Sequence, residues 1–442
     1  MWRIGMIKKS ALEIYRTFKQ EIAKERIYVF RLSSPGDGPA FPGPSTTQLM
    51  KKCMHASTAQ YVGLRDERTS PRTRYITTAG TIFIGKLLIP VIFDGMRAVG
   101  VEFVKDGRTR TAFATHEIIL SAGVIESPHL LLLSGIGPKE QLQEFEIPVI
   151  ADLPGVGENL AEHVYPGGLS ASIKRKIDID ITPPTKAGEW WFIFSGPWTI
   201  PGGVETVAFV QTEPANGTAA GVPDIEIVLF SMSPASKEGE RFMLDIGLDP
   251  KAYDEYYKPL RGIHGYNLVP VLLHPKSRGV VRLRSADPRM PPAIDPRYFS
   301  HPDDIRVIVK GMKASARIAE TKAFKKLGSK LWPRHFPGCE QHLLWGDEYL
   351  ECLARHYTAA LWHPSGTCKM GNGSDAVVDP QLRVLGGVQG LRVVDASVMP
   401  EPLSAHFNGP AMMIAEKAAH MILQAMEGED NESLVPDATA VV

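Results

Sequence analysis

The stretch HEIILSAGVIESPHLLLLSGIGP, His116 to Pro138, decides the fold class. Glu117–Ser121 is a continuous apolar run of the kind buried on both faces of a parallel sheet. Ala122-Gly123 ends it. The pattern predicts a helix starting near Ser127-Pro128, with proline in its first turn. Ser134-Gly135 breaks that helix, and Pro138 opens another short one. Strand, tight glycine turn, helix is the grammar of a doubly wound α/β sheet.

Upstream, VIFDGMRAVGVEFVKDGRTRTAF reads as strands joined at Asp94-Gly95 and Asp106-Gly107, both hairpin signals. Residues 1–74 stay unassigned. They contain an amphipathic pattern from about Ser10 to Ala23 and a Pro/Gly/Ser-rich loop, Ser33 to Ser45. Downstream the character changes. Thr206–Val210 and Ile225–Phe230 read as strands, Arg278–Ser285 as a half-exposed antiparallel strand, and Asp303–Ala319 as a helix. GLRVVDAS, Gly390–Ser397, returns to a short buried strand, followed by a loop and a long helix from Pro410 to Met426. The expected architecture is an α/β domain split between 75–165 and 361–442, with an α+β domain built on an antiparallel sheet, 166–360, between them.

The 442 residues carry 49 basic and 49 acidic side chains. A zero balance argues against nucleic acid as the main partner and against a polybasic membrane anchor. The best candidate for a membrane span, Thr81 to Phe93, is too short and carries Lys86. The N-terminus is interrupted by Lys8, Lys9, Arg16, Lys19, Lys24 and Arg26, unlike a secretion signal. The four cysteines form no CxxC pair, and no metal site is expected. Cys339 and Cys352 either close a small loop or are two separate buried thiols.

No G-x-S-x-G, HExxH, Walker A loop or G-x-G-x-x-G occurs. Two histidine neighbourhoods remain: LWHPSGTCKMG, with His363, and DASVMPEPLSAHFNGP, with His406. A histidine in a Pro/Gly-rich loop beside structured elements is suited to general-base work near neutral pH.

Taken in order, HEIILSAGVIESPHLLLLSGIGP, ADLPGVGENLAEH, PGGVETVAFVQT, HPKSRGVVRLRSADPRMPPAIDPRYFSHPDD, WHPSGTCKMG and GLRVVDASVMP…HFNGPAMMIAEKAA resemble the glucose–methanol–choline (GMC) flavin oxidoreductases, most of all the insect glucose-dehydrogenase-like branch. The resemblance covers about residues 80–425. It implies an FAD-dependent dehydrogenase or oxidase acting on the CH–OH of a small alcohol or sugar, with oxygen or a quinone as external electron acceptor. His363 matches the family's catalytic histidine and His406 its partner position. Trp362 and Asn408 match residues beside the flavin. Asp395 and Ala396 match the strand-end turn at the cofactor's phosphate and ribityl region, and Ala122 and Gly123 a turn near its adenosine half. The resemblance also implies a Cys339–Cys352 bridge, leaving Cys368 as a small buried residue, and an extracellular setting. The family's N-terminal strand–GxGxxG–helix is missing, so the chain is expected to start partway through the family's length and to hold FAD weakly. The alternative expectation is a truncated, non-catalytic homologue with a binding or regulatory role.

Overall fold

The computed structural model describes residues 28–30, 76–78, 81–84, 90–105, 108–174, 204–212 and 221–433. The patterns at Ser10–Ala23 and Ser33–Ser45, and the Asp106-Gly107 turn, lie outside the described residues. The chain divides into two compact units.

One unit comprises Pro42–Glu162, Arg278–Tyr298 and His363–Val442. Its central strand is Ile118–Leu120, fully buried. It pairs in parallel with Leu391–Val393 on one side and Thr81–Ile84 on the other, and Ile76–Thr78 closes the edge antiparallel. Apolar side chains at all three positions of Ile118–Leu120 fit burial on both faces. The chain leaves the central strand at Gly123, whose φ of +92° only glycine adopts readily. Helix Glu126–Leu133 follows, with Ser127 to Leu133 all buried, so its leucine run packs into one apolar core with the sheet. Ser134 and Gly135 end the helix, Gly135 at φ +82°. Pro138 is the N-cap of helix Lys139–Glu144. Beside this sheet, Val91–Asp94, Arg97–Lys105 and Arg108–Phe113 form an antiparallel meander, and the left-handed Gly95 turns the first hairpin.

The other unit holds His163–Ser277 and Phe299–Trp362 together with strand Tyr28–Phe30. Its sheet is antiparallel throughout and runs Tyr28–Phe30, Val204–Val210, Ile225–Phe230, Gly265–Leu272, Val164–Pro166, Thr358–Ala360. Ser170–Ser172 also pairs with Gly265–Leu272, and Lys330–Leu331 with Ser170–Ser172. Helix Pro302–Ala319 packs on this sheet through Ile305, Ile308, Met312, Ser315 and Ala319, which recur at helical spacing. Gly311 is the point of closest approach, because a Cβ there would lie 3.0 Å from Ile225 Cδ1. Cys339 and Cys352 form a disulfide with Cα atoms 5.8 Å apart.

The division differs from the sequence reading at the boundaries 163–165 and 361–362, which fall in the antiparallel unit, and in one longer segment. Arg278–Tyr298, read above within 166–360, packs with the α/β unit. Its strand Val280–Arg282 pairs with Ala293–Asp295, Gly279 exchanges backbone hydrogen bonds with Leu160, and the Val281 N–H donates to the Gly157 carbonyl. Among the described residues no helix is long and apolar enough to cross a membrane.

Candidate active site

Apart from Trp362, which ends the other unit, the site residues named from the sequence fall into two groups within the α/β unit. The first sits at the carboxyl ends of two parallel strands. Buried residues Ile118–Leu120 and Leu391–Val393 are followed by Ser121, Ala122 and Gly123 and by Asp395 and Ala396, all only half-buried. One carboxylate ties the two strand ends together. Asp395 Oδ2 accepts from the Gly123 N–H at 3.0 Å and from Ser127 Oγ at 2.6 Å. Its Oδ1 accepts from the Ser397 N–H at 2.8 Å, capping the short 3-10 turn Ala396–Val398. Ser127 Oγ in turn accepts from the Ala122 N–H at 3.1 Å. Beside Gly123 a Cβ would meet nothing within 4 Å, so the turn is left-handed and open. An open crevice past the carboxyl ends of parallel strands is where such sheets bind ligands.

The second group is the histidine pair. The rings of His363 and His406 lie with centroids 4.7 Å apart at an interplanar angle of 73°. Phe407 stacks on the His363 ring at 5.1 Å and 25°. The two histidines ride on separate loops, one leading from 363 to 370 and one from 399 into helix Asn408–Ser433. Asn408 is therefore the first residue of that helix, and it is exposed. The His363 loop runs alongside the Asp395 turn, with Gly366, Cys368 and Met370 donating backbone N–H bonds to Ala396, Ser397 and Val398. Burial, with Asp395 nearby, pushes the Cys368 thiol well above its ordinary pKa. Trp362 closes the other unit. It holds φ +59°, a conformation costly for a bulky side chain, and is 57% exposed.

Three further residues shape this site and were missed from the sequence. Glu162, 8% exposed, accepts the His363 N–H at 2.7 Å. Asn159 bonds both histidine loops, and Arg278 bonds Asn159 and pairs with Glu401. The signal was present in GENLAEH, where an asparagine two residues after Gly157 suits a left-handed position, and Asn159 holds φ +59°. Metal-type donors converge among the described residues at Cys339, Cys352 and His356. Both sulfurs are bonded to each other there, and His356 Nδ1 lies 2.9 Å from the Cys352 carbonyl oxygen.

Family models described as GMC oxidoreductase match residues 73–165 and 275–415. The chain belongs to the GMC oxidoreductase family. These enzymes act on CH–OH donors. It is 38% identical over 353 residues to human mitochondrial choline dehydrogenase, across 76% of this chain and 52% of that protein. It is 36% identical over 338 residues to glucose dehydrogenase (FAD, quinone) of Drosophila melanogaster, across 74% of this chain and 50% of that one. The chain thus spans about half the length of both relatives. Among solved structures, a formate oxidase of Aspergillus oryzae examined for FAD modification shares 26% identity and a TM-score of 0.65, over 77% of this chain and 60% of that one.

Proposed function

We propose that this chain oxidises the CH–OH group of a small alcohol or sugar with FAD, His363 and His406 forming the proton-transfer pair. The observation that carries this reading is the 4.7 Å approach of two imidazoles held on separately anchored loops. Relatives whose names specify choline, or glucose with FAD and a quinone, support the substrate class and the acceptor.

The residues present fit the cofactor at one end. Ala122, Gly123, Asp395 and Ala396 line an open turn past the parallel strands. The Asp395 carboxylate is already engaged by three protein donors, so its task is to hold the turn rather than to reach the ligand. By the family resemblance, Trp362 and Asn408 each match a position beside the ring system. When bound, FAD supplies the hydride acceptor.

The chain's own residues do the rest. Negative charge develops on the alcohol oxygen as its proton leaves, and the His363 imidazole takes that proton. His406 holds the oxygen in line for transfer. Phe407, stacked on the His363 ring, restricts its rotation, and Glu162 fixes the peptide that carries it. The second reading, a homologue without catalysis, draws on the missing G-x-G-x-x-G.

Purified chain assayed in excess FAD with choline, glucose and a panel of simple alcohols against a quinone acceptor tests the proposal. FAD-dependent turnover supports it. Turnover of none of them at saturating FAD supports the second reading.

A further inference from the structure

Two loops distant in sequence carry the histidines, and something must set their separation. Asn159 is placed to do so. Its Nδ2 donates to the Gly366 carbonyl at 3.3 Å and to the Pro400 carbonyl at 3.1 Å. Gly366 lies three residues past His363, and Pro400 six residues ahead of His406. Its Oδ1 accepts from Arg278 Nε at 2.8 Å, and the Arg278 guanidinium also pairs with Glu401, next to Pro400. Both amide hydrogens and the amide oxygen are thus engaged.

The backbone on both sides is shaped for this contact. Asn159 holds a left-handed φ of +59°, which asparagine tolerates better than most residues. Gly366 holds φ +93°, and a Cβ there would lie 2.5 Å from the Asn159 carbonyl oxygen and 2.7 Å from its Nδ2. The surrounding chain is stitched at the same level. Leu160 bonds reciprocally to Gly279 and Ala161 to Ser365. Glu162, three residues on, accepts the His363 N–H.

We propose that Asn159 is a positioning residue, whose carboxamide sets the distance between the His363 and His406 loops, with Glu162 anchoring the His363 peptide on the same segment. This rests on the reading of the two histidines as a working pair. The proposal concerns their geometry, which is measurable without turnover.

The test uses the full chain with ¹³C-labelled histidine and reads the ring-to-ring NOE between His363 and His406, assigned by losses in His363→Gln and His406→Gln. Asn159→Gly keeps the left-handed backbone at no steric cost and deletes the carboxamide. Asn159→Asp keeps an acceptor for Arg278 but replaces both donations with a carboxylate facing two carbonyl oxygens. The expected result is a cross-peak strongly reduced in both variants while their thermal unfolding stays cooperative. In FAD-loaded protein that turns over, kcat should fall about 10- to 100-fold with KM within about threefold, since misplacement of about 1 Å can cost that much. An unchanged cross-peak in either folded variant overturns the proposal, whatever the rates. If neither variant folds, Asn159 is a determinant of folding and the positioning claim is also overturned. A lost cross-peak with unchanged kcat upholds the positioning and refutes the catalytic role of the pair.

Discussion

At the scale of single residues, Asp395 and Gly366 do more than their sequence context suggests. The Asp395 carboxylate satisfies two backbone N–H groups and a hydroxyl at the ends of two strands. Asp395→Ala leaves those donors unpaired, at a cost of about 1–3 kcal/mol. Denaturant unfolding should show that loss, and an unchanged midpoint would contradict the network. Cys368 is buried, and its raised thiol pKa suppresses the thiolate, which is the reactive form. Alkylation followed by peptide mapping should therefore leave Cys368 unmodified in native protein and modify it after denaturation. His363 and His406 were legible because each stands in a Pro/Gly-rich loop within a family-like string. Asn159 and Glu162 were not, because their importance lies in hydrogen bonds to loops more than 200 positions away, with sequence separations of 207, 241 and 201.

Among the elements, strand Ile225–Phe230 lies at the expected residues as a continuous buried run, and helix Pro302–Ala319 within one residue, since its buried side chains recur at helical spacing. The three-residue strands Val164–Pro166, Ser170–Ser172 and Thr358–Ala360 are too short to show a period, and only their partners define them. The placement of Arg278–Tyr298 escaped for a related reason. It is settled by backbone bonds from Gly279 and Val281 to Leu160 and Gly157, and by Gly157, where a Cβ would lie 2.2 Å from the Val281 oxygen. The disulfide ties the loop before helix Asp347–His356 to that helix across a separation of 13 residues. A loop of that size corresponds to about 3 kcal/mol through constraint of the unfolded chain. Reduction, or Cys339→Ser with Cys352→Ser, should lower the unfolding free energy by about that amount. Equal stability of oxidised and reduced protein would show that the helix is held by its apolar face alone.

Over the whole molecule, buried phenols set the alkaline limit of stability. Burial pushes Tyr165 up to about 12, and burial together with Glu162 pushes Tyr298 up to about 12. Tyr256, Tyr257, Tyr266 and Tyr357 are raised for the same primary reason. The ordinary value is about 10, so the folded state keeps protons that the unfolded state releases. This stabilisation is complete below about pH 10 and is lost as pH climbs through about 12. Tyrosinate absorbance of these residues should rise together with loss of near-ultraviolet circular dichroism. Titration of every phenol near pH 10 in intact protein would contradict the burial.

The central claim is that His363 removes the alcohol proton in a flavin-dependent oxidation. It is tested most directly by one anaerobic turnover of FAD-loaded protein, mixing it with the alcohol that gives turnover and recording loss of the flavin's visible absorbance. Wild-type protein should bleach. His363→Ala should bleach at least about 100-fold more slowly with similar substrate affinity, because its contact strengthens in the transition state, and His406→Asn should fall between the two. Bleaching of His363→Ala at the wild-type rate would contradict the claim.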